Sequence, residues 1–323
     1  MKRKDSLARK GMKLLCTFLG LVFLVMLGTT LVFRNYLEQI NYTPQRNEEN
    51  NMISVFSAFP LGTSSDRIGG AGSDLLNILL VGQDAREGES QARSDSMILC
   101  TYNKNTKQLV MTSFLRDLYV PIPGHGSNRI NAAYSFGGTS LLKKTIDENF
   151  HVAIDGSVEV DFTHFSEIID HLGGVEIELR QDEADVINQQ TGSNLTEGLQ
   201  SLDGFQTLTY SRIRSLDRDG DFSRTNRQRK VINAVVSSLR NTSLTDLTPL
   251  ISKILPMLTT DLSRGQLFLY ALEILPNLSQ IELHSQRIPA DGTFTDKTID
   301  GMSVLVADLD AQRQHLRSTL LEP

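Results

Sequence analysis

The sequence predicts an α/β layered domain, a mixed β-sheet flanked by helices, behind one N-terminal membrane-spanning helix. Three observations carry that expectation. β-rich runs alternate with helical ones from Leu75 onward, the 20 residues from Leu14 to Phe33 carry no charge, and the basic residues crowd ahead of that apolar run. The chain has 323 residues, 40% of them hydrophobic, enough for one large core or two smaller ones. Its two cysteines, Cys16 and Cys100, exclude a disulfide scaffold and a Cys-rich zinc module. One lies in the apolar run and the other in a strand-like one, so no bond between them is expected.

Leu14–Phe33 reads LLCTFLGLVFLVMLGTTLVF. At about 1.5 Å per residue this length spans roughly 30 Å, a bilayer's hydrocarbon thickness. Six basic residues precede it and Arg34 alone follows closely, which keeps the N-terminus cytoplasmic. A cleaved signal peptide is the competing reading; the run exceeds the usual signal core, and no A-x-A-like site follows. The expected organisation is a cytoplasmic tail at 1–13, an anchor at 14–33, an extracytoplasmic stalk at 34–73 and a folded domain at 74–323. The bilayer is then the first expected partner. Charge divides along the same boundary. Of 32 basic and 38 acidic residues, the first 34 positions hold seven and one, so the remainder carries 25 and 37, a net of −12. An acidic body is a poor general nucleic-acid binder, and no nucleic-acid partner is expected.

The stalk is rich in Asn, Glu, Gly and Ser, with Pro44 and Pro60 and no sustained period. Leu76–Val81, Ser96–Tyr102 and Gln108–Phe114 are short β-rich runs, and Asn103–Lys107 between the last two has hairpin-turn chemistry. Helical spacing follows at Ser140–Phe150 and Thr163–His171, with strands at Gly156–Phe162 and Val175–Leu179. Further helices are expected at Gly204–Thr209, Arg224–Leu239, Asp246–Leu258 and Gly265–Leu275, a strand at Gln280–Ile288 and a last helix at Ser303–Leu320.

If the first three strands form an up-down-up meander, Asp84, Asp95 and Arg116 share one rim of the sheet. Two carboxylates there suit a hard divalent cation such as Mg²⁺, and Arg86, Arg93 and Arg116 suit a phosphate. Ordinary solvated loop residues explain the same pattern equally well. Tyr210–Lys230 is sharper: YSRIRSLDRDGDFSRTNRQRK places seven basic residues and three Asp in an otherwise acidic body. Arg212 and Arg214 point to the same side only if extended. On the following helix Arg224, Gln228, Val231 and Val235 share the apolar face. An arginine buried there needs an anion, either a ligand or one of Asp217, Asp219 and Asp221. Arg227 and Lys230 are expected to be solvated, and Arg229 is borderline. A third segment, NRINAAYSFGG at Asn128–Gly138, offers Arg129 and Asn131 to a ligand, although a tight strand-to-helix turn accounts for it too. His125 is a candidate base, as are Asp84 and Asp95. No P-loop, dinucleotide-binding, zincin or α/β-hydrolase signature occurs.

Four ordered stretches, NILLVGQDAR (Asn77–Arg86), RSDSMIL (Arg93–Leu99), SFLRDLYVPIPGHGSNRINAAYSFGG (Ser113–Gly138) and YSRIRSLDRDGDFSRTNRQRKVI (Tyr210–Ile232), together resemble the LytR-CpsA-Psr family of cell-wall phosphotransferases. The resemblance covers residues 75–239. It implies an α/β domain enclosing a hydrophobic tunnel for a polyprenyl chain. It also implies transfer of a glycopolymer from a polyprenyl-diphosphate carrier to peptidoglycan, with Mg²⁺, or Mn²⁺ in its place, at the diphosphate. By position, Asp84 and Asp95 match the metal-side carboxylates. Arg93 and Arg116 match diphosphate contacts, and Arg212, Arg214, Arg224 and Gln228 match a second phosphate-binding group. Arg129 sits where a basic residue usually precedes the I-N-A-A-Y run. Leu115, Leu118 and Ala92 depart from the family's usual Pro, Thr and Gly without removing a charge. A diphosphate hydrolase and a non-catalytic polyprenyl-phosphate-binding protein are the competing functions; a binding protein needs the arginines and not the carboxylates.

Overall fold

The computed structural model describes residues 41–42, 67–70, 72–84, 93–216 and 221–321. The strands and helices run, in chain order, β1 (Asn41–Tyr42), β2 (Leu75–Asp84), β3 (Arg93–Asn103), β4 (Gln108–Phe114), β5 (Tyr119–Ile122), β6 (Gly126–Arg129), α1 (Asn131–Phe150), β7 (Gly156–Asp161) and α2 (Phe162–His171). There follow β8 (Val175–Leu179), α3 (Gln181–Thr191), β9 (Gly198–Leu202), α4 (Gly204–Arg212), α5 (Asp221–Asn241), α6 (Leu244–Ile254), β10 (Thr259–Thr260), α7 (Arg264–Ile274), β11 (Glu282–Ile288), β12 (Phe294–Ile299), β13 (Met302–Ala307) and α8 (Leu309–Leu321).

Seven strands make one mixed sheet in the order β1-β10-β7-β2-β3-β4-β11. The three expected strands are its centre, paired antiparallel as a meander. Their second turn closes because the Asn103 side chain accepts the N–H groups of Asn105 and Thr106, at 2.9 and 3.2 Å. Side chains alternate across the sheet. Leu79, Met97 and Leu99 pack with Leu142, Ile146 and Phe150 of α1 and with Leu316 and Leu320 of α8. Leu80, Ile98, Val158 and Val160 face the other way, toward α2 and α5. A second core, holding Ile177, Ala184, Ile187, Leu202, Tyr210 and Val231, joins the β8–β9 hairpin to α3, α4 and α5. Cys100 carries a free thiol, and burial pushes its pKa up to about 12.

Several expectations are corrected. The folded unit begins at Asn41 instead of residue 74: β1 pairs with β10, and Ile68 bridges to Val152, so the segment read as a stalk contributes to the sheet. Residues 303–320 are not one helix but β13 followed by α8, because the short apolar run Met302–Ala307 pairs with β12. α1 starts at Asn131, nine residues before the expected helix, and is kinked at Gly137 and Gly138. The anchor expected at Leu14–Phe33 lies outside the described residues; among those described, no helix is long and apolar enough to cross a membrane.

Candidate active site

The ends of β2 and β3 meet as expected. Asp84 and Arg93 are the last cross-strand pair of the hairpin. The ladder pairs Gly82 with Ser96 and then Gln83 with Ser94, so Asp95 is the extra residue of a β-bulge, a common device beside functional sites. The side chains of Asp84, Arg93 and Asp95, and the loop bearing Arg86, lie outside the described residues.

Arg116 follows β4 directly and is joined to Arg129 through a residue the sequence reading did not single out. Asp117 stands 3.4 Å from Arg116 Nε and accepts from an Arg129 guanidinium nitrogen at 3.0 Å. Two guanidiniums share the Asp117 carboxylate, and all three side chains are partly buried, which strengthens their field. The β5–β6 hairpin makes this arrangement, since Tyr119 pairs with Arg129.

Arg212 is the last residue of α4, Ile213 leaves the helix with φ −57° and ψ 127°, and Arg212 and Arg214 are both exposed. The Arg212 guanidinium lies 4.5 Å over the Phe162 ring. On α5 the apolar stripe is present, with Arg224 only 2% exposed. The solvated role expected for Arg227 is wrong, whereas Lys230 is exposed as expected. Arg227 donates to Glu183 Oε1 at 2.8 Å and to the Ile213 carbonyl at 3.1 Å. Glu183, on α3, was not legible in the sequence: the polar run Gln181–Thr191 carries no motif. Arg229 is buried too. It reaches Ser113 Oγ at 3.0 Å and the Gln286 carbonyl at 3.4 Å, and burial, helped by the Arg287 charge, lowers its pKa to about 10.

Between the sheet and helices α2 and α5 lies a cavity of about 350 Å³. Its walls are apolar, with Leu80, Ile98, Val160, Phe165, Val231 and Val235 among them. The polar side chains at its wall are Ser96, Ser211 and Gln228. Each marks the route to a candidate residue: Ser96 adjoins Asp95, Ser211 adjoins Arg212, and Gly82, also in the wall, is two residues before Asp84. Gln228 Oε1 is buried without a hydrogen-bond partner among the described residues.

A third carboxylate, Glu159, was likewise not legible in the sequence. Glu159 on β7 accepts from Tyr134 OH at 2.8 Å, Thr139 Oγ1 at 2.5 Å and Gln83 Nε2 at 2.5 Å. Burial first, then the Glu159 charge, raises the Tyr134 phenol far above its ordinary value, so it stays a donor. This cluster organises the Asn128–Gly138 segment and ties it to the residue before Asp84.

A teichoic acid transferase of Oceanobacillus iheyensis (polyisoprenyl-teichoic acid–peptidoglycan teichoic acid transferase TagU) is 40% identical over 170 residues, 51% of this chain and 51% of that protein. The chain thus aligns over about half the length of that curated relative. The structure titled "TagT bound to LIIa-WTA" superposes with a TM-score of 0.66 at 26% identity, over 86% of this chain and 99% of that one. The LytR-CPS2A-psr family protein YwtF (TagT) with bound octaprenyl pyrophosphate lipid superposes at 0.60 and 27% identity, over 79% and 95%. The model of the LytR_cpsA_psr family matches residues 33–319, and the chain belongs to that family.

Proposed function

We propose that this chain is a membrane-anchored phosphotransferase that moves a glycopolymer from a polyprenyl-diphosphate carrier to a peptidoglycan hydroxyl. The observation that carries this reading is the apolar cavity whose wall residues Gly82, Ser96 and Ser211 lie within two positions of Asp84, Asp95 and Arg212 in the chain. A polyprenyl tail gains about 0.8 kcal/mol per CH₂ buried in such a space, which would serve as the lipid tunnel. The diphosphate then lies at the arginine-rich end. TagT bound to LIIa-WTA and YwtF (TagT) with bound octaprenyl pyrophosphate lipid are similar to this chain, and these ligands support a polyprenyl-linked donor.

In the reaction, the acceptor hydroxyl oxygen bonds to the sugar-side phosphorus and the P–O bond to the lipid-side phosphate breaks. Polyprenyl monophosphate departs, and the hydroxyl proton passes to a base or to water. Arg93, Arg116 and Arg129 neutralise the sugar-side phosphate, while Arg212, Arg214, Arg224 and Gln228 hold the departing one. The donor set fits a hard divalent cation, because β-pairing brings Asp84 and the bulged Asp95 to one end of a hairpin. Such a cation, Mg²⁺ or Mn²⁺, held by Asp84 and Asp95, supplies further charge neutralisation at the diphosphate. The apolar run Leu14–Phe33 anchors the domain at the outer membrane surface, beside its lipid donor, with the N-terminus cytoplasmic.

The test is turnover of a synthetic polyprenyl-diphosphate sugar by the full chain in detergent, with peptidoglycan fragments, with and without Mg²⁺. Metal-dependent release of polyprenyl monophosphate, with the sugar phosphate attached to the glycan, is the expected result. Release without attachment would indicate a hydrolase. Lipid binding without turnover would indicate a binding protein.

A further inference from the structure

Phe136 is 47% exposed, and its ring does not turn back into the core. It stacks on His125, with ring centroids 4.8 Å apart and planes 19° from parallel. His125 belongs to the turn of the β5–β6 hairpin, so two separate elements are brought together as a stacked aromatic pair exposed to water.

The local backbone maintains this presentation. Helix α1 is interrupted immediately after Phe136: Gly137 has φ −152° and ψ 23°, and Gly138 has φ 62° and ψ −160°. The Gly138 conformation is essentially closed to residues with a side chain. At Gly137 a Cβ would stand 2.6 Å from Leu141 Cβ. On either side of Phe136, Tyr134 and Thr139 are fixed to Glu159, which also holds Gln83, the neighbour of Asp84. The hairpin that carries His125 is rooted at Arg129, beside Asp117 and Arg116. From Arg129 to Gly126 is three residues of strand, roughly 10 Å at about 3.3 Å per residue.

We propose that the His125–Phe136 pair is the platform on which the acceptor glycan docks. This rests on the transferase reading. Both elements of the platform are tied to the candidate site: Phe136 lies between Tyr134 and Thr139, which share Glu159 with Gln83, and the hairpin bearing His125 ends at Arg129. A pyranose ring offers an apolar C–H face that packs on an aromatic ring, and its rim of hydroxyl and acetamido groups suits an imidazole beside it. Stacked there, a sugar of the glycan strand extends an adjoining residue's hydroxyl toward the diphosphate.

The chain contains no tryptophan, so Phe136→Trp installs a single indole at the platform with its stacking capacity kept. The full chain carrying that substitution, in detergent micelles without donor lipid, is titrated with soluble uncrosslinked peptidoglycan tetrasaccharide. A saturable shift of indole emission is expected, with affinity at least fivefold weaker when His125→Ala is added. In transfer assays, Phe136→Ala raises the acceptor KM at least tenfold, leaves the donor KM within twofold, and retains the thermal midpoint of the parent. Emission that does not move up to millimolar saccharide overturns the platform, as does an acceptor KM unchanged by Phe136→Ala. If the parent transfers nothing while the emission titration saturates, the platform stands and the transferase reading falls.

Discussion

Glu183 and Arg227 form an ion pair in which the two side chains are 3% and 4% exposed, and the same arginine holds the carbonyl of Ile213. Ile213 lies between Arg212 and Arg214. The orientation of two exposed candidate phosphate ligands is therefore set by a buried contact with α3, an element that has no residue in the site. Tyr210, on the same helix as Arg212, sits close by, and burial, with the Glu183 charge, raises its phenol far above the ordinary value.

Removing Glu183 leaves a buried guanidinium without its carboxylate. Glu183→Ala is expected to lower the unfolding free energy by about 3–5 kcal/mol. Urea denaturation followed by circular dichroism measures this, and a loss below about 1 kcal/mol would show that Arg227 is served well enough without the Glu183 carboxylate. Glu183→Gln, which keeps an acceptor, is expected to lose less.

The cavity wall makes a prediction about lipid length. Val235→Phe adds a ring to the space between α5 and the sheet. Turnover of a donor with an octaprenyl tail is expected to fall at least tenfold, while a donor with a two-isoprene tail is processed within twofold of the parent rate. Equal losses for both tails would count against the cavity as the lipid site.

Backbone conformation at the α1 kink is testable separately from packing. Among the described residues beyond its chain neighbours and local helix backbone, no atom lies within 4 Å of the place a Cβ would take at Gly138, so Gly138→Ala meets strain from its φ of 62° and ψ of −160° without a clash there. The expected cost is about 1–3 kcal/mol. Thermal unfolding measures it, and a stability equal to that of the parent would mean the kink relaxes into regular helix.

Acid sensitivity has an identifiable contributor. Asp261 is partly buried, which by itself raises its pKa. The hydrogen bond from Lys143 at 2.6 Å, that from the Ser157 N–H at 2.7 Å and the lysine's charge outweigh the burial, and the carboxyl is held below its ordinary 3.8. A carboxylate depressed in the folded state stabilises above its unfolded pKa, and the contribution disappears as pH falls through the folded value. Stability is thus expected to drop below about pH 4 in the parent and to drop less in Asp261→Asn, which is weaker at neutral pH. Asp155, whose pKa burial raises, works in the opposite direction in both proteins, so the difference between them isolates Asp261. Parallel pH profiles for the two would refute the assignment.

The central meander was legible because β2, β3 and β4 carry long β-rich runs and an Asx turn of clear chemistry. The α5 stripe was legible because Gln228, Val231 and Val235 fall on one helical face, and that face does line the cavity. Elements made by distant partners were not. β1 is two residues long and is a strand only because Thr259–Thr260 lies alongside it. Met302–Ala307 is a short apolar run, which periodicity cannot assign to strand or helix until β12 is seen to pair with it. Arg227 lies at the edge of the α5 stripe, and its burial depends on Glu183 arriving from α3. Within the candidate site, the arginines of Tyr210–Lys230 stood out by their density and Asp84, Asp95 and Arg116 by their places at strand ends, whereas Asp117, which holds Arg116 and Arg129, and Glu159, which holds Gln83, look ordinary in sequence.

The parallel pairing of Asn41 with Thr259 also sets an order of events during synthesis. The first strand to leave the ribosome waits for one of the later ones, since β10 is also what joins β1 to β7. Until Thr259 and Thr260 have emerged, one edge of β7 stays open, and the chain beside the apolar N-terminal run has nowhere to pair. Truncations that stop before Thr259 should therefore fail as a class, however complete their motifs, and the residues around β10 act as the closing stitch of a sheet begun two hundred positions earlier.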